Sequence, residues 1–198
     1  MVGDTLGIVV SLLAHREETA VHVLFVCTGN ICRSPTAERL AVAYAAERGW
    51  TSFLASSAGT RAVVNHGVHG QAALVLESLG GDAAGFVARQ LNSKIASVAD
   101  LILTMTRAHR DEVLEMAPHK LSRTFTLREA SRLTTECGAQ GLADLSDFRS
   151  QLPANDELDV SDPIGEGTAV FEAVGSQIAC LLPPVMELCR DDDGSRAV

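Results

Sequence analysis

The sequence has no surplus of basic residues. Its 198 residues carry 16 Lys and Arg against 25 Asp and Glu, a formal net charge of -9. Nucleic-acid binders present a basic face to the phosphate backbone, so a nucleic-acid partner is not expected. Cysteine is sparse: Cys27, Cys32, Cys137, Cys180 and Cys189 are the five present. An odd, scattered set is not the framework of a secreted, disulfide-stapled domain, and a reducing cytoplasm is the expected compartment. No second Cys/His pair stands at zinc-ligand spacing, so neither a metal nor any other cofactor is expected. No stretch reads as apolar for the roughly 20 residues that a bilayer-spanning helix needs, so no membrane association is expected. Leu6–Ala14 is apolar but short, follows Asp4 and has no basic residue before it, which is not the pattern of a secretory signal. No internal repeat is visible. What remains is a chain of ordinary globular proportions, long enough for one domain with a sizeable core.

Residues 1–20 read as an N-terminal extension with a short helix over Thr5–His15, residues 21–190 as the domain, and 191–198 as an acidic tail opened by Asp191-Asp192-Asp193-Gly194. Val21–Val26 is a nearly continuous β-branched and apolar run, the signature of a strand buried on both faces. A polar loop, Cys27–Arg33, follows it. Ser34 is then the expected N-cap of a helix and Pro35 its first residue, with Ala37, Leu40, Ala41 and Tyr44 at the spacing that faces a sheet. The alternation continues with strands at Phe53–Ser57, Ala99–Met105 and Thr124–Leu127. Helices are expected at Val68–Leu79, Ala108–Met116, Arg128–Cys137 and Ala169–Leu182, the last interrupted by Pro183-Pro184 before Val185–Cys189. Gly138–Pro163, acidic and rich in breakers, reads as one long loop. Such alternation predicts an α/β fold, a parallel sheet with helices on both faces. Ligands of such sheets sit beyond the carboxyl ends of the strands at the switch point, where the loop Cys27–Arg33 would lie.

That loop carries the chemistry. Cys27-Thr28-Gly29-Asn30-Ile31-Cys32-Arg33-Ser34 sets a cysteine and an arginine six positions apart between a buried strand and a helix start. Its length suits a curl around one tetrahedral phosphate, with backbone N–H groups turned inward and the helix dipole behind them. Gly29 and Asn30 tolerate the left-handed conformations that a curl requires. The planar fork of Arg33 can hold two phosphate oxygens. The same field favours a thiolate at Cys27, an activated nucleophile beside a bound phosphoester, and Ser34 can hydrogen-bond that sulfur.

The segment closely resembles the active-site loop of the low-molecular-weight protein tyrosine phosphatases. The resemblance runs from about Val21 to Cys189 and includes Ser57-Ala58-Gly59-Thr60, Ala88-Arg89-Gln90-Leu91, Ala99–Leu103 with Met105, and Asp162-Pro163. It implies a doubly wound, four-stranded parallel sheet, no metal, and hydrolysis of phosphoprotein monoesters through a cysteinyl-phosphate. It implies Cys27, Arg33 and Asp162 as catalytic residues, with Asp159 and Asp156 as nearby rivals for the acid. Residues 28–34 would bind phosphate, and Asn30 and Ser57 would prop the loop. The partner implied is a phosphotyrosine protein, and the enzyme a monomer or weak dimer. Cys32 takes a position from which family members can form a disulfide with the nucleophile; a small packing residue is the equal alternative. His66 and His69 read as surface loop histidines before they read as cleft residues.

Two departures from the family pattern stand out. Ile164 and Gly165 occupy positions after Asp-Pro that are often aromatic, which predicts a less aromatic, wider cleft. Phe86 stands where a histidine often precedes the Ala-Arg-Gln run, so one hydrogen bond to the loop should be absent or replaced. Relatives acting on phosphoarginine carry Thr at the position of Ile31, whose apolar side chain suits an aryl ring. A thiol-dependent arsenate reductase on the same fold is a further alternative, but it needs relay cysteines after the third strand, and 103–118 contains none.

Overall fold

The computed structural model describes residues 20–153 and 157–190. The helix expected at Thr5–His15, the acidic tail and Asp156 lie outside the described residues. Among the described residues, strands β1 (Val21–Cys27), β2 (Phe53–Gly59), β3 (Leu101–Thr104) and β4 (Thr124–Thr126) form one four-stranded sheet in the order β2-β1-β3-β4. Every pairing is parallel; Val23 faces Ala55 on one side and Leu101 on the other.

Helices α1 (Arg33–Glu47), α2 (Gly70–Ser78), α3 (Ser93–Ser97), α4 (Arg107–Met116), α5 (Leu127–Thr135), α6 (Asp144–Phe148) and α7 (Thr168–Glu187) connect and cover the strands. Alternation along β1 sorts the core. Val23 and Phe25 point to one face, packed with Ala37 and Ala41 of α1, Leu133 of α5 and Ile178 of α7. Leu24 and Val26 point to the other, with Ala96 of α3 and Val113 of α4. Both faces are therefore buried, which is why β1 reads as a continuous apolar run rather than an alternating one.

Four expectations are corrected. α1 starts at Arg33, and Ser34 is its second residue rather than its cap; no side chain caps this helix. The segment 138–163 is not all loop. It contains α6 and a 3-10 turn, Arg149–Gln151, because Leu145 is wholly buried in the main core with Leu142 and Phe148 packed alongside. α7 runs through Pro183 and Pro184 without a break. α7 is also long and apolar enough by composition to cross a membrane. Its apolar stripe of Phe171, Val174, Ile178, Leu182 and Val185 is buried within the protein, the packing of a core helix.

Candidate active site

β1 ends where its neighbours part, β2 on one side and β3 on the other. At this switch point the chain curls into α1. Asn30 makes the curl possible: its φ is +54°, left-handed, a conformation that Asn tolerates. Gly29, expected to share that role, does not adopt positive φ. Asn30 is fully buried, and its N–H lies 3.3 Å from Cys27 Sγ. Its side-chain oxygen accepts from Arg89 N–H at 2.9 Å, which fixes the amide's orientation. Nδ2 then donates both hydrogens, to Ser34 Oγ at 2.9 Å and to Ser57 Oγ at 2.8 Å. Each hydroxyl keeps its own proton to pass on. Ser57 donates to Glu38 Oε2 at 2.6 Å, and Ser34 is left facing Cys27 Sγ at 3.0 Å. The sulfur thus has two close polar neighbours, Asn30 N–H and Ser34 Oγ. Ser34 serves the sulfur instead of capping α1, whose first-turn N–H groups stay free of side-chain acceptors.

Arg89 also bonds Ser57 O through Nε at 2.8 Å. Arg89 and Glu38 therefore supply the support that the Phe86 departure left open, while Phe86 packs beneath the Arg39 guanidinium, 5.6 Å away. Burial raises the Glu38 carboxyl above its ordinary range, opposed by its bond from Ser57 and by Arg39.

The segment after β2 is bonded rung by rung onto the loop. Thr60, Arg61 and Val63 donate their N–H groups to the carbonyls of Cys27, Thr28 and Gly29 at 2.9, 3.0 and 2.9 Å. Gly59 permits this approach, since a Cβ there would lie 2.5 Å from Thr28 O.

Arg33 opens α1 and is 3% exposed. Its Nη1 donates to Val160 O at 3.0 Å and its Nη2 to Asp162 Oδ2 at 2.6 Å, reaching across more than a hundred residues of chain. Its buried Nε–H has no protein partner. Asp162 is thereby placed in the site, with its side chain 47% exposed. Asp159 is not: it accepts from Arg107 N–H at 2.8 Å and from Arg107 Nε at 3.4 Å. Cys27, Arg33 and Asp162 line one cleft of about 220 Å³, walled by Ile31, Val63 and Ile164 with Arg61 at its edge. Gly165 has φ +89°, where a side chain of any kind is strained, so this backbone excludes an aromatic there.

The family profile described as low molecular weight phosphotyrosine protein phosphatase matches residues 22–141, the larger part of the chain. The chain belongs to that family. Among its relatives is a putative low molecular weight protein-tyrosine-phosphatase of Klebsiella pneumoniae, 38% identical over 103 residues, 52% of this chain and 68% of that protein. A solved low molecular weight protein tyrosine phosphatase from T. tengcongensis superposes with a TM-score of 0.68 at 28% identity, covering 85% of this chain and 99% of the other. A protein-arginine-phosphatase of Geobacillus stearothermophilus is 28% identical over 165 residues, 83% of this chain and 93% of its own length. The enzyme is a phosphatase with the four-stranded α/β fold that the resemblance implied. The profile stops short of Asp162, whose place in the site rests on its bond to Arg33.

Cys32 is 6% exposed and packs with Ala72, Val75 and Phe171. Burial and, next, the neighbouring Cys27 push its thiol up to about 12, so it stays protonated. Cys32 also lines the cleft beside Cys27. His66 is exposed on its loop, its Nδ1 3.2 Å from Val64 O. His69 stacks on Phe171 at 5.1 Å and lines a neighbouring groove rather than the phosphatase cleft.

His109 was not singled out in the sequence, yet it is 5% exposed and bridges the loop to α4. One ring nitrogen lies 2.8 Å from Thr28 Oγ1 and the other 2.8 Å from Thr106 Oγ1, whose hydroxyl also caps α4. Its place in the first turn of α4, the helix that follows the carboxyl end of β3, was the available signal, since functional side chains gather beyond strand ends in such sheets. Burial, then Arg33, hold its pKa down to about 4. The folded protein therefore resists a proton that the unfolded chain takes up near pH 6.5. The stability that neutral His109 contributes is complete above about pH 6.5 and is lost as pH falls toward about 4. The decline of Tm between those limits is expected to be shallower in His109→Asn than in wild type. Parallel Tm–pH curves would show that His109 does not resist protonation.

Proposed function

We propose that this phosphatase hydrolyses phosphotyrosine in proteins through a phosphocysteine at Cys27. The convergence of Cys27, Arg33 and Asp162 on one cleft carries the reading. In the first step Cys27 Sγ attacks phosphorus, the bond from phosphorus to the tyrosyl oxygen breaks, and Asp162 gives that oxygen a proton. In the second, Asp162 takes a proton from water as the water attacks the phosphocysteine, which releases inorganic phosphate and the Cys27 thiolate. Loop N–H groups and the Arg33 fork stabilise the equatorial oxygens of the transferring group. The unpartnered Nε–H of Arg33 is a donor suited to one of those oxygens.

The aliphatic walls Ile31, Val63 and Ile164 support an aryl group over a guanidinium. Likeness to a protein-arginine-phosphatase keeps phosphoarginine as the second substrate to assay. Cys137, Cys180 and Cys189 do not line the cleft, which favours hydrolysis over a cysteine relay for arsenate. The free state of all five cysteines fits a cytoplasmic setting.

Release of phosphate from p-nitrophenyl phosphate and from a phosphotyrosine peptide is the direct assay. Asp162 has its own signature. A positioned acid contributes about 10²–10⁴-fold, so Asp162→Asn is expected to lower kcat on phenyl phosphate by about that range. The loss should shrink as the leaving phenol becomes more acidic. An equal dependence of phosphoryl transfer on leaving-group pKa in both enzymes would remove Asp162 from the role. A steepened dependence in Asp159→Asn would transfer the role to Asp159.

A further inference from the structure

We propose that Arg61 is a substrate-recognition residue that binds the carboxylate of an Asp or Glu adjacent to the phosphorylated residue, so that the phosphatase selects acidic phosphopeptides. The inference rests on the phosphatase reading and adds the class of sequence around the scissile phosphate.

Three observations converge on Arg61. The first is its position. The bond from Arg61 N–H to Thr28 O, at 3.0 Å, is the middle one of the three rungs that fasten segment 60–63 to the loop of the nucleophile. Its Cα is therefore fixed in register with Cys27, and its side chain lines the edge of the same cleft. The second is its freedom. Arg61 is exposed, and its guanidinium makes no hydrogen bond or ion pair with the described residues. Other arginines around the sheet are committed: Arg33 to Asp162, Arg107 to Asp159, Arg149 to Glu129 and Arg89 to Ser57 O. The third is charge. In a chain of net charge -9, an uncommitted cation at the mouth of the cleft is the local complement to an anion arriving with the substrate.

A phosphotyrosine whose ring lies between Val63 and Ile164 presents its backbone at the mouth of the cleft, where the flanking side chain meets the rim. A flanking carboxylate there finds the five-donor fork of Arg61. A flanking lysine meets like charge.

The test compares kcat/KM for phosphotyrosine peptides that differ only in the residue directly before or after the phosphotyrosine, Asp, Ala or Lys. Wild type, Arg61→Ala and Arg61→Glu are compared by the ratio of Asp to Lys peptide within each enzyme. An exposed ion pair predicts a ratio of about three- to tenfold in wild type, with the repulsion of lysine included. The ratio should fall to about one in Arg61→Ala and invert in Arg61→Glu. It should also contract as salt rises toward 1 M, where the screening length is about 3 Å. Ratios that are the same in all three enzymes, with peptides turned over, would overturn this inference and leave the phosphatase reading intact. Hydrolysis of no peptide by wild type would overturn both.

Discussion

Replacing Cys27 with serine is expected to abolish turnover while leaving anion binding in place. A serine hydroxyl at this position has no base to take its proton. Ser34 is the neighbour, at 3.0 Å from the sulfur, and is itself a neutral hydroxyl, not a base. Loss of the nucleophile removes the covalent route, and kcat on p-nitrophenyl phosphate should drop by on the order of 10⁴-fold or more. The anion cradle should survive. As proposed, it consists of backbone N–H groups and Arg33, and the curl is held by Asn30, Ser57 and Arg89 rather than by the sulfur. Inorganic phosphate at 100 times its Kd adds about 2.7 kcal/mol to the stability of a folded protein. For a chain of this size that is a rise in Tm of roughly 5–11 °C. Cys27→Ser should show this rise as fully as wild type. Turnover by Cys27→Ser would exclude the covalent mechanism. A mutant that no longer responds to phosphate would mean that the sulfur, not the backbone, organises the cradle.

The sequence exposed the site where one element carried its own punctuation. The run before Cys27 has buried neighbours on both faces, and the loop after it contains the Asn that the curl needs, so strand, turn and helix could be read in order. Asp162 was reached through resemblance, because nothing local in an Asp-Pro dipeptide tells an acid from a turn. Its bond to Arg33 is a tertiary fact, as are those of Glu38 and His109, which belong to helices whose periodicity describes packing alone. The misread elements have equally specific causes. Two prolines inside a helix cost on the order of 3 kcal/mol each. Burying Leu182, Val185 and Met186 returns about 1.5–3 kcal/mol each, enough to hold α7 together where local rules break it. α6 was hidden by the polar residues around it, although Leu142, Leu145 and Phe148 already stood at helical spacing.

Arg33→Lys is expected to be nearly as damaging as loss of the nucleophile, although the charge is kept. In the wild type the guanidinium does two things at once. Its Nη1 and Nη2 anchor Val160 O and Asp162, and its Nε–H, which has no protein partner, is the donor proposed for the phosphoryl group. Lysine offers one compact ammonium, which cannot span these directions. Losing a preorganised donor to the transferring group costs about 10²–10³-fold in kcat. Displacing the acid adds part of the 10²–10⁴-fold that such a group contributes on poor leaving groups. Phenyl phosphate should therefore lose more than p-nitrophenyl phosphate, whose phenolate leaves with less help. The coupling has a further consequence. If Arg33 places Asp162, the two substitutions act on one unit, and Arg33→Lys with Asp162→Asn should fall short of the product of the single losses. Strict multiplication would mean that Arg33 serves the phosphate alone and that Asp162 is held by its own loop. Near-wild-type kcat/KM in Arg33→Lys would remove the fork from the mechanism altogether, because a phosphate clamp that tolerates a point charge makes no use of the geometry that buries Arg33.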